Sequence, residues 1–442
     1  MVRSTVRDRL DAVFALDRGV IVLSVAMFAF SLAFQMTTRY LPVYLQVLGA
    51  SGLIVGLFGT VGNAISALYP YPGGTISDRI GSRRALTLFG AIATLGVAIW
   101  LGASWLSPIQ IGPIVIEPWL WVFVGLLLAQ AWKSFGLGAT FAVVRQATDP
   151  GQLAAGFAST ESIRRLAFLI GPVLAAVLIG VGTDFRAGFR FVLAIAVLAG
   201  GLGTIVQHRL YDASADSIGR AFEGLDRIGE DLRAMPAPLR PLLAGDTLVR
   251  FGNGVIYVFL VLVVTQWRAV GLETTLRMGP WTWAIDLTPA TFVGYLFGLE
   301  MLVAIALMVP AAAVADRIGY KPVVATGFAV YGLIPLALTV APATPWAMIA
   351  IFAASGLRFA GLPAHKALIV GPAESGAGGR VTGTYYLVRN VVVIPSAALG
   401  GALWTWVAPP VALAVGGAIA LGGTLLFVGF GEEPSMADRV AS

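Results

Sequence analysis

The chain alternates long apolar runs with short polar ones. A helix needs roughly 20 mostly apolar residues to cross a bilayer. By that rule the runs predict twelve spans, over 19–46, 51–75, 84–105, 117–145, 154–182, 187–207, 241–267, 288–312, 321–341, 344–369, 379–404 and 408–430. Gly and Pro recur inside them, which membrane helices tolerate because neighbouring helices satisfy the freed backbone groups. One long polar stretch interrupts the series. Within 209–240, Ile218, Phe222, Leu225, Ile228 and Leu232 recur at helical spacing between Arg220, Glu223, Asp226, Arg227, Glu230 and Asp231. That is the pattern of an amphipathic helix on a membrane surface. The expected organisation is an all-α polytopic membrane protein: an N-terminal six-helix bundle (1–208), a cytoplasmic linker (209–240) and a pseudo-symmetric C-terminal six-helix bundle (241–442).

Composition agrees with this pattern. Of 442 residues, 58% are hydrophobic and only 12% charged, against about 25% charged in soluble domains. The absence of cysteine excludes disulfides, thiol catalysis and Cys-based metal sites. A net charge of +6 is explained by loop arginines rather than by nucleic-acid binding. These arginines sit in alternate connections. Arg79, Arg83 and Arg84 follow span 2; Arg209, Arg220, Arg227, Arg233 and Arg240 follow span 6; Arg317 and Lys321 follow span 8; Lys366 and Arg380 flank the loop after span 10. The opposite connections carry only Arg186, Arg190, Arg268 and Arg277. The positive-inside rule then places both termini and the linker in the cytoplasm of a cell-membrane protein. Trp100, Trp105, Trp119, Trp121, Trp267, Trp281, Trp283, Trp346, Trp404 and Trp406 fall at predicted outer ends, as an interfacial aromatic belt would; Trp132 does not. The first run lacks a small-residue cleavage pattern and reads as a retained helix.

The loops also repeat. Gly74-Thr75-Ile76-Ser77-Asp78-Arg79-Ile80-Gly81-Ser82-Arg83-Arg84 and Ala312-Ala313-Val314-Ala315-Asp316-Arg317-Ile318-Gly319-Tyr320-Lys321-Pro322 are copies of one motif, 238 positions apart. A second match, offset by 225, sets Lys133, Gly136 and Leu137 against Arg358, Gly361 and Leu362, and Arg164 against Arg389. Repeats in the two halves of a membrane chain mark a transporter architecture. Gly81 and Gly319 suit a tight turn, and the arginines suit the headgroup layer.

Through its twelve spans, its central linker and the duplicated loop, the chain resembles the major facilitator superfamily over nearly its whole length. The first copy of the motif keeps Gly74, Asp78, Arg79, Gly81, Arg83 and Arg84, with Ser82 displacing the basic pair by one place. The second keeps Asp316, Arg317, Gly319 and Lys321, with Ala312 in place of the leading glycine. The resemblance implies a gating role for these residues, with Asp78 facing the start of span 11 near Gly379. It also implies a cavity lined by spans 1, 4, 7 and 10. Lys133, Gly136 and Gly138 stand where the family often carries an arginine followed by glycines. Gly171-Pro172-Val173-Leu174-Ala175-Ala176 is partly similar to a motif of the family's drug antiporters; its other reading is a kinked helix with small residues for close packing.

Charges inside the spans each need a reason, because a charge at bilayer centre costs about 2.5–3.5 kcal/mol on insertion scales. The candidates for a substrate or proton pathway are Lys133, Glu161, Arg164, Arg165, Asp246, Arg250, Glu300, Arg358 and Arg389. Glu161 precedes Arg165 by four residues and Asp246 precedes Arg250 by four, the spacing of same-face ion pairs. Glu300 has no opposite charge within reach on its own helix; it is a proton carrier or the partner of Arg358 or Arg389. Arg358 either grips an anion or forms a fixed bridge. Tyr385 and Tyr386 stand near Arg389 in the sequence. Arg39 is expected to snorkel outward, and His365 to sit at an interface. No phosphate-cradling loop, HExxH or GxSxG motif is present, so neither an ATP motor nor an enzyme is expected, nor a cofactor or metal. The expected function is secondary transport of a small organic solute by alternating access, monomeric and in the form of proton-coupled efflux. The alternatives are proton-coupled uptake of an organic anion, or a non-transporting receptor or assembly protein on the same scaffold.

Overall fold

The computed structural model describes residues 18–134, 153–210, 232–233, 235–278, 281–370 and 378–433. Among them, eight helices are long and apolar enough to cross a membrane, or ten if two bent pairs are each one span. In chain order the elements are α1 (Arg18–Thr38), α2 (Leu41–Val47), α3 (Gly52–Leu68), α4 (Pro70–Ile80), α5 (Ser82–Ala103), β1 (Ile109–Ile111), β2 (Ile114–Ile116), α6 (Trp119–Ala129), α7 (Ala131–Ser134), α8 (Leu153–Val181), α9 (Phe185–Leu210), α10 (Leu239–Tyr257) and α11 (Leu260–Trp267). They continue with β3 (Leu272–Met278), β4 (Trp281–Leu287), α12 (Pro289–Ile318), α13 (Tyr320–Val340), α14 (Pro345–Ser355), α15 (Leu357–Ala360), α16 (Leu362–Val370), α17 (Gly378–Val393), α18 (Ser396–Trp406) and α19 (Pro409–Phe430). The fourth predicted span is present as α6 and α7; its remainder, with Gly136 and Gly138, lies outside the described residues, as does most of the 209–240 segment.

Breaks in these helices have local causes. The chain turns by 45° between α1 and α2, where Pro42 opens the second helix, since proline lacks the N–H needed to continue the ladder. A second 45° bend separates α10 from α11. The α4–α5 and α12–α13 joints are alike: each helix ends at an Ile, and a single glycine, Gly81 (φ 85°) or Gly319 (φ 103°), precedes the next. A side chain at such φ is strained, so the glycine of the duplicated motif is a turn requirement in both copies.

Two compact units emerge. The first comprises Met1–Thr38 with Leu68–Glu223. In it α1 packs on α8 and α9, and α5 on α6 and α9. Phe30 stacks on Trp132 at 4.4 Å, and the Trp132 indole donates to Gln207. Gly171 belongs to this packing, because a methyl there would lie 2.7 Å from Cβ of Gln35. The second unit comprises Arg39–Ala67 with Gly224–Ser442. Its helices α10 and α13 both pack on α19, and α12 packs on α14 and α15. Here α3 lies directly on α18: a methyl at Gly56 would come within 2.5 Å of the Ala397 carbonyl.

Two features depart from the sequence expectation. The fold is not all-α as expected, since β1–β2 and β3–β4 are antiparallel hairpins. In the longer one, alternation puts Leu272, Thr274, Trp281, Trp283, Ile285 and Leu287 on one face, with Trp281 and Trp283 exposed. The expected outer tryptophan belt also loses a member. Trp100 is buried and donates to the Val122 carbonyl at 2.9 Å, tying α5 to α6.

Candidate functional site

The second unit concentrates charge around one stripe of α10. Gly245 and Gly252 turn toward α19, where methyl groups would meet Phe427 and Ala420. Small residues at this spacing let two membrane helices approach closely. The stripe beside them carries Asp246, Arg250, Asn253 and Tyr257, spaced as one face of a helix. Helix α15 is brought close by similar means, since a methyl at Gly356 would lie 2.7 Å from the Glu300 carbonyl. That approach carries Arg358 onto α12.

Asp246, wholly buried, collects three donors, with His365 close by. Arg250 meets it at 3.2 Å, Arg389 at 2.9 Å, the Tyr385 hydroxyl donates at 3.1 Å, and His365 Nε2 stands 3.4 Å away. A second cluster centres on Glu300, 1% exposed. Arg358 Nη2 meets its Oε1 at 2.6 Å, and the Ser355 hydroxyl donates to the same oxygen. Asn253 joins the clusters by accepting from Arg358 Nη1 at 3.5 Å. The Tyr331 ring lies within 5.0 Å of the Arg250 guanidinium carbon and 5.3 Å of that of Arg358. Its hydroxyl accepts from Arg250 Nη1 at 2.9 Å. Three guanidinium groups face two carboxylates, so one guanidinium charge has no carboxylate to balance it.

That charge borders space. A cavity of about 230 Å³ opens beside Arg250 and Arg389, and Asn63, Asn253, Asn390 and Tyr257 line it with small apolar residues. No carboxylate lines it. The whole chain has three asparagines, at positions 63, 253 and 390, and all three are at this cavity. Amides are costly in a membrane helix unless partnered, so their convergence from α3, α10 and α17 on two arginines is chemically specific. Asn390 accepts from Arg389 at 3.1 Å, and Asn63 donates to the Val393 carbonyl at 3.4 Å.

The sequence candidates divide accordingly. Asp246 and Arg250 pair as their spacing predicts, but two further donors from other helices share the acid. Glu300 pairs with Arg358, one of the two partners expected for it, and Arg358 is 4% exposed; the cavity arginines are Arg250 and Arg389. His365 is buried rather than interfacial, at 5% exposure. Arg39 does not snorkel. Its guanidinium lies between the rings of Tyr257 and Phe297, 4.8 and 4.6 Å from their centres. Tyr386 stacks under Arg389 at 4.7 Å. Sequence reasoning missed the asparagines, Ser355 and Tyr331. The asparagines had a readable signal: each is a lone amide in an apolar run.

In the first unit, Lys133 lies 4.2 Å over the Phe34 ring and Arg164 5.2 Å from that of Phe168. Arg165 is half-buried on the same helix. The side chain of Glu161, and hence its pairing with Arg165, lies outside the described residues, as do those of Gly74 and Asp78 in α4. Of the motif residues, Arg79, Arg84, Asp316 and Arg317 are exposed. Arg83 donates to the His208 carbonyl at 2.8 Å, capping the end of α9. Gly319 and Lys321 sit under Glu433, whose carboxylate accepts the Tyr320 and Lys321 amides at 2.7 and 2.6 Å.

No family model matches the chain. It is 21% identical over 416 residues, 93% of its own length and 95% of the relative's, to an uncharacterized MFS-type transporter of Methanocaldococcus jannaschii. Among solved structures, the nucleoside transporter NupG superposes with a TM-score of 0.72 at 11% identity, covering 93% of this chain and 100% of that one. A POT family transporter in complex with a thioalcohol-conjugated peptide gives 0.69 at 14% identity, covering 93% and 96%. The peptide transporter POT in complex with sulfate gives 0.69 at 15%, covering 98% of each chain. The relative and these solved structures are transporters, and the likeness shows that this chain shares their multi-pass membrane fold. The chain is thus similar over nearly its whole length to an MFS-type relative and shares the fold of these transporters.

Proposed function

We propose that the chain carries a small organic anion by alternating access, in symport with a proton. The observation that carries this reading is the acid-free cavity between Arg250 and Arg389, closed around by all three asparagines of the chain. Two guanidiniums form the charge-assisted, directional hydrogen bonds that a carboxylate or phosphate accepts. The amides and Tyr257 supply donors and acceptors for the polar groups on the rest of the molecule. Coupling follows from competition. Both cavity arginines also bind Asp246, so an anion drawing them off leaves that carboxylate able to accept a proton. By linkage, the proton favours the anion equally.

This reading favours organic-anion uptake over the drug efflux suggested by the partial glycine–proline motif, whose Gly171 serves close packing on α1. The test is thermal stabilisation of the detergent-purified protein by benzoate, succinate, inorganic phosphate, tetraphenylphosphonium and glucose. Stabilisation by anions alone, lost in Arg389→Gln, supports the proposal. Stabilisation by tetraphenylphosphonium that is indifferent to Arg389→Gln would sink it in favour of a cation exporter.

A further inference from the structure

The three asparagines of the substrate cavity are not equivalent. Each has its amide orientation fixed by a partner that acts in one sense only, since arginine only donates and a backbone carbonyl only accepts. Asn390 takes Arg389 on its Oδ1 at 3.1 Å, and Asn253 takes Arg358 on its Oδ1 at 3.5 Å. Both therefore have their amide N–H groups left over. Asn63 is reversed. Its Nδ2 donates to the Val393 carbonyl at 3.4 Å, which leaves its Oδ1 without a hydrogen-bond partner among the described residues. Of the other polar side chains at the cavity, Arg250 and Arg389 cannot accept, and the Tyr257 hydroxyl both donates and accepts. Among the described residues that line this space, Asn63 is the side chain whose free polar atom can only accept.

Its place along the cavity is fixed from two sides. Val393, whose carbonyl it holds, lies four residues beyond Arg389 on α17, about 6 Å along the axis. On α10 the same level is reached at Gly254, four residues beyond Arg250, where a methyl would lie 3.4 Å from Cγ1 of Val393. The cavity thus has a basic end at Arg250 and Arg389 and an acceptor one helical turn away, with Gly59, Gly254, Val258, Val393 and Ala397 among its walls. We propose that the substrate is an organic acid bearing a hydrogen-bond donor, a hydroxyl or an N–H, about one helical turn from its anionic group across an apolar spacer, and that Asn63 selects for that donor. An acid without it strips water from the Asn63 carbonyl and leaves that acceptor unpaired, which costs more than the bond itself is worth.

This inference rests on the organic-anion reading of the cavity and narrows it. The test is calorimetric titration of the purified full-length protein in detergent with benzoate, 4-hydroxybenzoate, 4-methylbenzoate and 4-methoxybenzoate. In these acids the ring is the apolar spacer and sets the para group across from the carboxylate. Wild type should bind 4-hydroxybenzoate about 10-fold or more tightly than 4-methylbenzoate, which has a similar shape and no donor. The methoxy acid, with an oxygen but no proton to give, should do no better than the methyl one. In Asn63→Leu the ratio of the hydroxyl to the methyl acid should fall to about one. Equal wild-type affinities for these two acids overturn the inference and leave the organic-anion reading standing. So does a methoxy acid that binds as tightly as the hydroxyl acid, because the protein then donates at that position. A ratio unchanged in Asn63→Leu assigns the selection to another acceptor and overturns the role of Asn63; loss of all binding in that variant makes Asn63 a packing residue and overturns it too. If wild type binds none of the four acids the inference falls, and titration with succinate and inorganic phosphate then shows whether the organic-anion reading falls with it.

Discussion

Arg358 and Arg389 carry the same charge on the same kind of helix, yet their surroundings give them different work. Arg358 is enclosed against Glu300; Arg389 leans over a cavity with Asn390 and Tyr386 around it. Removing one partner of a buried ion pair leaves the other uncompensated, at about 3–5 kcal/mol. Arg358→Gln is therefore expected to lower the unfolding midpoint strongly. The paired change Arg358→Met with Glu300→Met should recover most of that loss, because apolar replacements remove both desolvation costs. Thermal unfolding of the three variants in one detergent checks this; a double variant no better than the single one would count against a structural bridge. Arg389→Gln leaves Asp246 its Arg250 and Tyr385 partners. It should cost little stability but weaken anion binding by about 10-fold or more, the worth of a charged hydrogen bond, as calorimetric titration would measure.

At the scale of elements, the joints of the duplicated motif carry the information. Gly81 and Gly319 were legible as turn residues because no other residue type adopts their φ cheaply. The capping of α13 by Glu433 was not legible. The two are 113 positions apart, and nothing local to Gly319 announces a carboxylate. A carboxylate on two free amides at a helix N-terminus is stabilised by both hydrogen bonds and dipole. Glu433→Ala is expected to cost about 1 kcal/mol. Gly319→Ala should cost more, since its methyl would meet that carboxylate at 2.8 Å as well as strain the backbone. Thermal midpoints of both variants test the order; no loss in Glu433→Ala would mean the cap contributes nothing to the joint.

For the molecule as a whole, the proposed function turns on whether anion and proton move together. If Asp246 is the shared element, uptake of a stabilising anion into proteoliposomes should rise with an inwardly directed proton gradient. Asp246→Asn, which keeps hydrogen bonding but cannot cycle a proton, should abolish gradient-driven uptake while leaving anion counterflow measurable. Gradient-driven uptake surviving in Asp246→Asn would eliminate this carboxylate as the coupling group. The apolar runs made the membrane fold readable, because lipid imposes span length and an internally satisfied backbone. Lipid imposes no rule on which interior charges meet. Asp246 with Arg250 could be read because helical periodicity joins them; Asp246 with Arg389, His365 and Tyr385 could not.

By itself the sequence determined that the chain is a multi-span helical membrane protein, where its duplicated turn lies and which charges fall inside its apolar runs. Each of these follows from local periodicity, from the bilayer's thickness or from a backbone angle. Only the tertiary structure decided that Glu300 belongs to Arg358, that His365 is buried, and that asparagines from three distant helices surround Arg250 and Arg389. Those pairings depend on how closely glycine-bearing helix faces approach, as Gly252 does with α19 and Gly356 with Glu300. Close approach is a property of two surfaces at once, which no single stretch of chain encodes.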